Sequence, residues 1–475
     1  MKILFLTPQV PYQPDKGTTI RNLNLIKRIA RHHEVDLLSF ASTTAEALAA
    51  GDLLEYCSRV EVVPAPHRTY LSRAATTLFS PWPDMALRLY AIEYTKRLSF
   101  MLATAEYDFV QVEGIELMRY ALGIRSLLGN LQPAARGPVP TPCSGTARTA
   151  ETCSLPVRSA GQAPIPRRRG RSSPTGIRRP LIIFDDHNAE YVLQRRAFET
   201  DIRSPRKWLG AVYSLIQWHK LRSFERQACR AANAVLAVSE VDRLALHRLD
   251  PALEVSVVPN GIDSAFFAGY EPTLSTGSKG QEKRIIFVGS MDYRPNIDAM
   301  TWFCQQIFPL VQREVPESRL QIIGRRPTIV IRRLASANVN VRDDVADIRP
   351  ELAKSAVYVV PMRIGGGVRF KLLEAMACRV PVVTTSMGAD GIPAPPNQYF
   401  LVADEPAAFA QAVVELLRNP EKAAAMTEAA QSFVQERYEW EAIVPRLERL
   451  YERLRGSSDQ PSAITDSGAA RDSQG

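Results

Sequence analysis

Short apolar runs alternate with amphipathic helical patterns along almost the whole chain, and this alternation constrains the fold more than any other feature. A hydrophobic repeat that switches back and forth between the strand and helix periods implies strand–helix–strand units and a parallel sheet. Strands are expected at residues 2–7, 35–40, 59–63, 108–113, 181–185 and 234–238, with helices between them, among them 18–31, 91–103 and 206–230. The pattern breaks at Val257-Val258-Pro259-Asn260-Gly261-Ile262-Asp263, where Asn260-Gly261 is a turn signal, and a polar stretch follows at 270–282. It restarts with strands at 284–289, 320–324, 339–342, 356–361, 380–384 and 399–402 and helices at 297–314, 367–378, 421–436 and 439–454. The expected architecture is α/β, with two Rossmann-like, doubly wound domains facing each other across a cleft and a hinge near Pro259. Residues 1–257 would form the first domain, 258–437 the second, 438–455 a closing helix and 456–475 a disordered tail.

Composition narrows the function classes. The 475 residues suffice for two cores, and 45% hydrophobic content fits a globular protein. The formal charge of +9 suggests nucleic acid until it is located. Residues 131–180 hold nine arginines and one acid, Glu151, so that this segment carries +8 and the rest nets only +1. The segment also holds nine prolines and no Phe, Tyr or Trp, a composition that cannot bury enough apolar surface to order itself. It is read as a disordered insertion, and no nucleic-acid partner is expected. Six cysteines lie scattered without CxxC spacing, which argues against a disulfide framework or a zinc site. No apolar run approaches the length of a membrane span. The N-terminal run Ile3–Leu6 reads as a first strand rather than a secretory signal, so a cytoplasmic protein is expected.

Residues 361–385, PMRIGGGVRFKLLEAMACRVPVVTT, carry the most chemistry. The turn Gly365-Gly366-Gly367 follows an apolar run and leads into a helix. Glycines let a ligand approach the backbone, and the N–H groups of a helix start attract an anion. Arg369 and Lys371 sit in the first turn or so, where cations oppose the helix dipole unless an anion lies nearby. Glu374 could accept hydrogen bonds from sugar hydroxyls. The reading is a site for the diphosphate and ribose of a nucleotide. Glycines that merely make the turn are the other reading of this segment alone.

Two more segments bear on the site. Asp185-Asp186-His187-Asn188-Ala189-Glu190 follows a strand and opens a helix that Asp186 or Asn188 could cap. Asp185-Asp186 is not a DxD motif, so neither a catalytic metal nor a bound cofactor is expected. Residues 8–17 form a loop without GxGxxG, which argues against a dinucleotide dehydrogenase. Residues 203–226 interleave Trp208, Leu209, Val212, Tyr213, Leu215, Ile216 and Trp218 with Arg203, Arg206, Lys207, Lys220 and Arg222. Such a helix can lie on an anionic membrane surface, here the inner face, or pack against the first sheet.

Several segments together resemble the family-4 glycosyltransferases, which have the GT-B fold. They are VVPNGID at 257–263, IIFVGSMDYRPN at 285–296, residues 343–385, YEWEAIVPRLERLY at 438–451, LIIFDDHNAEYVLQRR at 181–196 and AVLAVSE at 234–240. The resemblance spans nearly everything except residues 131–180 and the tail. It implies a nucleoside diphosphate sugar held by the second domain, a glycan or lipid-linked acceptor on the first, and transfer with retention and without a metal. It aligns Glu374 with the ribose-binding glutamate, His187 with a histidine near the donor sugar, and Gly17 with a glycine loop close to the reacting groups. Gly366 stands where the family pattern has a second glutamate, as in a subgroup tied to exopolysaccharide synthesis. Charge developing on the leaving diphosphate would then be stabilised by Arg294 and Lys371, with Arg369 and the N–H groups near Gly366 and Gly367 in support, unless each cation instead forms a surface ion pair. A nucleotide-sugar 2-epimerase on the same fold and a non-catalytic sugar-nucleotide-binding module remain as alternatives, the latter favoured by the missing acid at Gly366.

Overall fold

Strands buried on both faces need helices on both sides, and the strands here are of that kind. The computed structural model describes residues 1–12, 17–130, 179–202, 205, 208–267, 270, 283–343, 345–365, 370–395 and 397–458. The segment 131–178, the end of the tail, Gly366, Gly367 and Arg369 therefore lie outside the described residues.

The first sheet contains β1 (Lys2–Thr7), β2 (Glu34–Ala41), β3 (Arg59–Pro64), β4 (Phe109–Glu113), β5 (Leu181–Asp186), β6 (Ala234–Ala237) and β7 (Val255–Val257). Its order is β3-β2-β1-β4-β5-β6-β7, with all pairings parallel. The second sheet contains β8 (Lys283–Val288), β9 (Ser318–Ile323), β10 (Val339–Arg342), β11 (Val357–Val360), β12 (Val382–Thr384) and β13 (Leu401–Val402). Its order is β10-β9-β8-β11-β12-β13, again all parallel. Both sheets are thus doubly wound. In each, strand order reverses once, between β1 and β4 and between β8 and β11. Such reversals open a crevice beyond the carboxyl ends of the strands.

Expected and observed strands agree within one or two residues, except that β7 was not anticipated. It is three half-buried residues at the sheet edge, too short and too exposed to leave an apolar signature. The helix expected from residue 297 starts earlier, at Arg294, with Pro295 in its first turn, where a missing N–H costs nothing.

The chain crosses between the sheets twice, and the two crossings are zipped together. The Ile262 N–H donates to the Tyr438 carbonyl at 2.7 Å, and the Ser264 N–H donates to Glu439 Oε1 at 3.1 Å. A Cβ on Gly261 would lie 2.5 Å from the Trp440 ring, so only glycine lets the chain pass there. Beyond this junction the last helix, Trp440–Ser458, returns to the first sheet. Its Trp440, Ile443, Leu447 and Tyr451 join Ile3, Phe5, Leu37 and Phe109 in one core cluster.

Candidate active site

The two crevices face each other and enclose a cleft of about 960 Å³. The loops after β1 (Pro8, Gln9), β4 (Gly114, Glu116) and β5 (His187, Asn188) line one wall, and Gly289, Ser290, Asn296 and Lys371 line the other. Parallel strands explain this convergence: every strand of a sheet ends on the same side, so its loops gather there.

On the first wall, buried charge holds the groups in place. His187 Nε2 lies 2.8 Å from Glu113 Oε2. Glu113 Oε1 accepts from Gln111 Nε2 at 2.6 Å, and Asn22, with its amide nitrogen turned toward acceptors, donates to Glu113 Oε2 at 2.8 Å. Asp185 is fully buried and takes two hydrogen bonds on Oδ2 from Arg21, at 3.0 and 2.7 Å. Arg21, 1% exposed, also donates to the Pro259 carbonyl at 3.0 Å and Asn260 Oδ1 at 3.2 Å, tying this cluster to the interdomain crossing. Burial pushes the His187 imidazole down. The hydrogen bond to Glu113 and the charges of Asp185 and Glu113 outweigh it, against Arg21, so that the pKa ends above the ordinary histidine value. Glu113, Asp185 and His187 bring three ligand-type atoms within 4.8 Å of one another. The cation beside Asp185, however, is the Arg21 guanidinium.

The helix after His187, Glu190–Asp201, is capped from a distance rather than by Asp186 or Asn188. Glu225 of the Trp208–Ala231 helix accepts the N–H groups of Glu190 and Tyr191 at 2.8 and 2.9 Å, and Asp242 accepts that of Ala189 at 3.3 Å. Burial, with Glu116 and Glu225 nearby, pushes the Glu190 carboxyl up to about 8. Burial likewise pushes Glu225 up to about 7 and holds Asp186 well above its usual range.

The second wall relies on close backbone approach. A Cβ on Gly289 would stand 2.8 Å from Asn296 Nδ2 and 2.9 Å from Lys371 Nζ. Lys371 Nζ donates to Asn296 Oδ1 at 2.9 Å and sits 4.3 Å from the Phe287 ring centre. Glu374, one turn further along the Phe370–Ala377 helix, has its carboxyl raised by burial against the pull of Lys371. Gly365, at φ 118°, adopts a conformation that favours glycine.

Three contacts join the walls. Arg294 forms an ion pair with the buried Asp201, one hydrogen bond measuring 3.0 Å. Arg196 donates to the Gly365 carbonyl at 3.1 Å and to Asp390 at 2.9 Å. A Cβ on Gly17 would meet the Phe370 ring at 2.9 Å. His187, Gly17 and Lys371 therefore line one cleft, whereas Arg294 is turned to Asp201 and Glu374 is not among the lining residues. Sequence reasoning missed Arg21, Glu113 and Asn296 as site residues. A signal existed for Glu113 alone: β4 is a largely apolar strand that ends in an acid, and a buried acid needs partners.

Residues 282–419 match the family model described as Glycosyl transferases group 1. The match lies within the second domain. The matched segment carries Arg294, Asn296, Gly365, Lys371 and Glu374. An "Uncharacterized 44.6 kDa protein in cps region" of Klebsiella pneumoniae is 25% identical over 165 residues, covering 33% of this chain and 42% of that protein. A Corynebacterium glutamicum GDP-mannose-dependent monoacylated alpha-(1-6)-phosphatidylinositol monomannoside mannosyltransferase is 31% identical over 155 residues, covering 30% of this chain and 41% of that one. The chain thus spans about two fifths of the length of these relatives. The sucrose-phosphate synthase of Thermosynechococcus elongatus superposes with a TM-score of 0.64 at 14% identity, over 96% of this chain and 100% of that one. Anabaena HepE in complex with UDP-glucose gives 0.55 at 14% identity, over 95% and 100%. At these identities the likeness establishes the fold, two Rossmann-like domains in the GT-B arrangement.

Proposed function

We propose that the protein is a glycosyltransferase that moves a sugar from a nucleoside diphosphate sugar to a glycan or lipid-linked acceptor. The observation that carries this reading is the cleft where two crevices meet, with Gly289 and Lys371 on one wall and His187 on the other. Breaking the bond between an anomeric carbon and a diphosphate leaves charge on the departing oxygen, and fixed donors in a narrow cleft stabilise it. Lys371 supplies one such charge. Arg294 supplies a second by exchanging Asp201 for phosphate, and the N–H groups near Gly366 and Gly367, with Arg369, complete the cradle. Glu374 holds the ribose, and Gly17 and His187 stand beside the donor sugar. Arg21 occupies the cation position next to Asp185, which supports chemistry without a metal. HepE, crystallised with UDP-glucose, supports the donor class. We further propose transfer with retention, in exopolysaccharide or cell-surface glycan synthesis, for which the cps-region relative is the support.

The acceptor side has its own support. The Tyr70–Phe79 helix is inside out: Thr77 is buried, while Leu71 and Phe79 are 84% and 86% exposed. Gln217 of the Trp208–Ala231 helix donates to Thr77 Oγ1 at 3.3 Å, and beside it Leu209 is 91% exposed, with Trp208 and Val212 also outward. No helix among the described residues is long and apolar enough to cross a membrane. We read this face as peripheral contact with the inner membrane surface, which suits a lipid-linked acceptor.

A thermal-shift screen against UDP-, GDP-, ADP- and dTDP-sugars tests the donor, since a ligand at a hundred times its Kd stabilises by about 2.7 kcal/mol. Labelled donor incubated with and without membrane extract then tests transfer. Label appearing in a new glycan or lipid only when extract is present is the expected result. Equal donor breakdown in both samples would support the epimerase instead. Leu209→Glu should release the protein from anionic vesicles without changing donor binding.

A further inference from the structure

We propose that Tyr451, near the far end of the chain, is a positioning residue for His187, acting through Gln111 and Glu113. The Tyr451 ring is fully buried among core aromatics, 4.9 Å from the Phe109 ring centre. A phenylalanine would fill that space, so packing does not account for the hydroxyl. The hydroxyl donates to Gln111 Oε1. Gln111, itself fully buried, donates from Nε2 to Glu113 Oε1 at 2.6 Å, and Glu113 Oε2 meets His187 Nε2 at 2.8 Å. Every donor in this chain points toward Glu113. A carboxylate that already accepts from Gln111 and Asn22 takes its next hydrogen from the imidazole, so Nε2 carries the proton. That leaves Nδ1 beside Gly114, where a Cβ would lie 4.0 Å from it, at the edge of the cleft.

Charge balance gives this arrangement its consequence. The groups facing His187 are Glu113 from β4, Asp185 from β5 and Arg21 from the first helix, with Glu116 beyond Gly114. Two carboxylates and one guanidinium leave a deficit of one positive charge in a buried cluster, which an imidazolium fills. His187 then presents an N–H donor and a positive charge to the cleft. The C-terminal helix becomes part of the active site although none of its residues lines it. The turnover arm of the following test rests on the glycosyltransfer reading; the titration arm does not.

The experiment uses the full chain labelled at histidine, with His187 assigned by loss of its signal in His187→Gln, and compares wild type, Glu113→Gln and Tyr451→Phe. In imidazole NMR titrations without substrate, Glu113→Gln should lower the His187 pKa by about one unit or more. Tyr451→Phe should lower it by a smaller, measurable amount while thermal unfolding stays cooperative. With the donor that binds, Tyr451→Phe should lower kcat about tenfold, leave KM within about twofold, and shift the loss of turnover at high pH downward. A Tyr451→Phe protein with unchanged His187 titration overturns the proposal, as does one in which KM moves as much as kcat. A shifted titration in a protein that turns over no donor would uphold the relay and sink the glycosyltransfer reading alone.

Discussion

On the first-domain wall, functional groups are fixed by buried charge, whereas on the second-domain wall they rest on close approach of side chains to a glycine backbone. His187 depends on Glu113, Asp185 and Arg21, all below the surface. Lys371 depends on the room left by Gly289, and its partners include the Asn296 amide and the Phe287 ring. The difference suits the two tasks of the transfer reaction proposed above. A group that handles hydroxyls and developing charge needs a set protonation state, which a low-dielectric cluster provides. A diphosphate needs N–H groups and a cation within reach, which glycines and a flexible lysine provide.

The largest expected effect tests the first wall. His187→Ala should lower turnover at least a hundredfold, roughly the smaller end of what a positioned proton-bearing group contributes, while calorimetric donor affinity stays within about twofold. Collapse of donor affinity with turnover preserved would reverse the assignment of the walls. Next in size, Glu374→Ala should weaken donor binding by about 1.5–3 kcal/mol, the worth of hydrogen bonds to a charged group, with stability little changed. A smaller effect is expected for Gly289→Ala. The added methyl displaces the flexible ends of Lys371 and Asn296 rather than backbone, so donor affinity should fall severalfold and the melting temperature hardly at all.

A separate effect, on stability rather than on binding or turnover, is a pH dependence that belongs mainly to the first wall. Glu190 and Glu225 have folded pKa values above their unfolded ones, near 8 and 7, so the fold holds them protonated. Their contribution is complete below about pH 4.5 and is lost as pH rises toward 8. His187, also raised, and Glu374 on the other wall act in the same direction. The melting temperature should therefore decline across that window, and Glu190→Gln should flatten the decline. An unchanged slope in that variant would mean that Glu190 titrates alike in the folded and unfolded chain.

Legibility in the sequence followed the range of the interactions. β1 was placed to the residue because five apolar or small residues after Lys2 are buried on both faces. The Tyr70–Phe79 helix went unnoticed because its apolar side faces outward, so no core-facing stripe announces it. Lys371 is legible from the glycine turn before it, whereas His187 and Gly17 are assigned through the family resemblance; the three line one cleft. Arg21 could not: an arginine in the first turn of a helix reads as solvated, yet this one is 1% exposed. Arg294 was expected at a phosphate and is found on Asp201, which nothing local foretells.

By itself, the sequence determined the order of the strands and their division into two doubly wound sheets. Both follow from periodicity within a few residues. Only the tertiary structure decided which cation neutralises Asp185, which acid caps the His187 helix and which hydroxyl reaches Gln111. The first and last of these partners lie 164 and 340 residues apart along the chain. Charges and hydrogen bonds act over a few ångströms of space, and chain distance does not reveal who will stand within them.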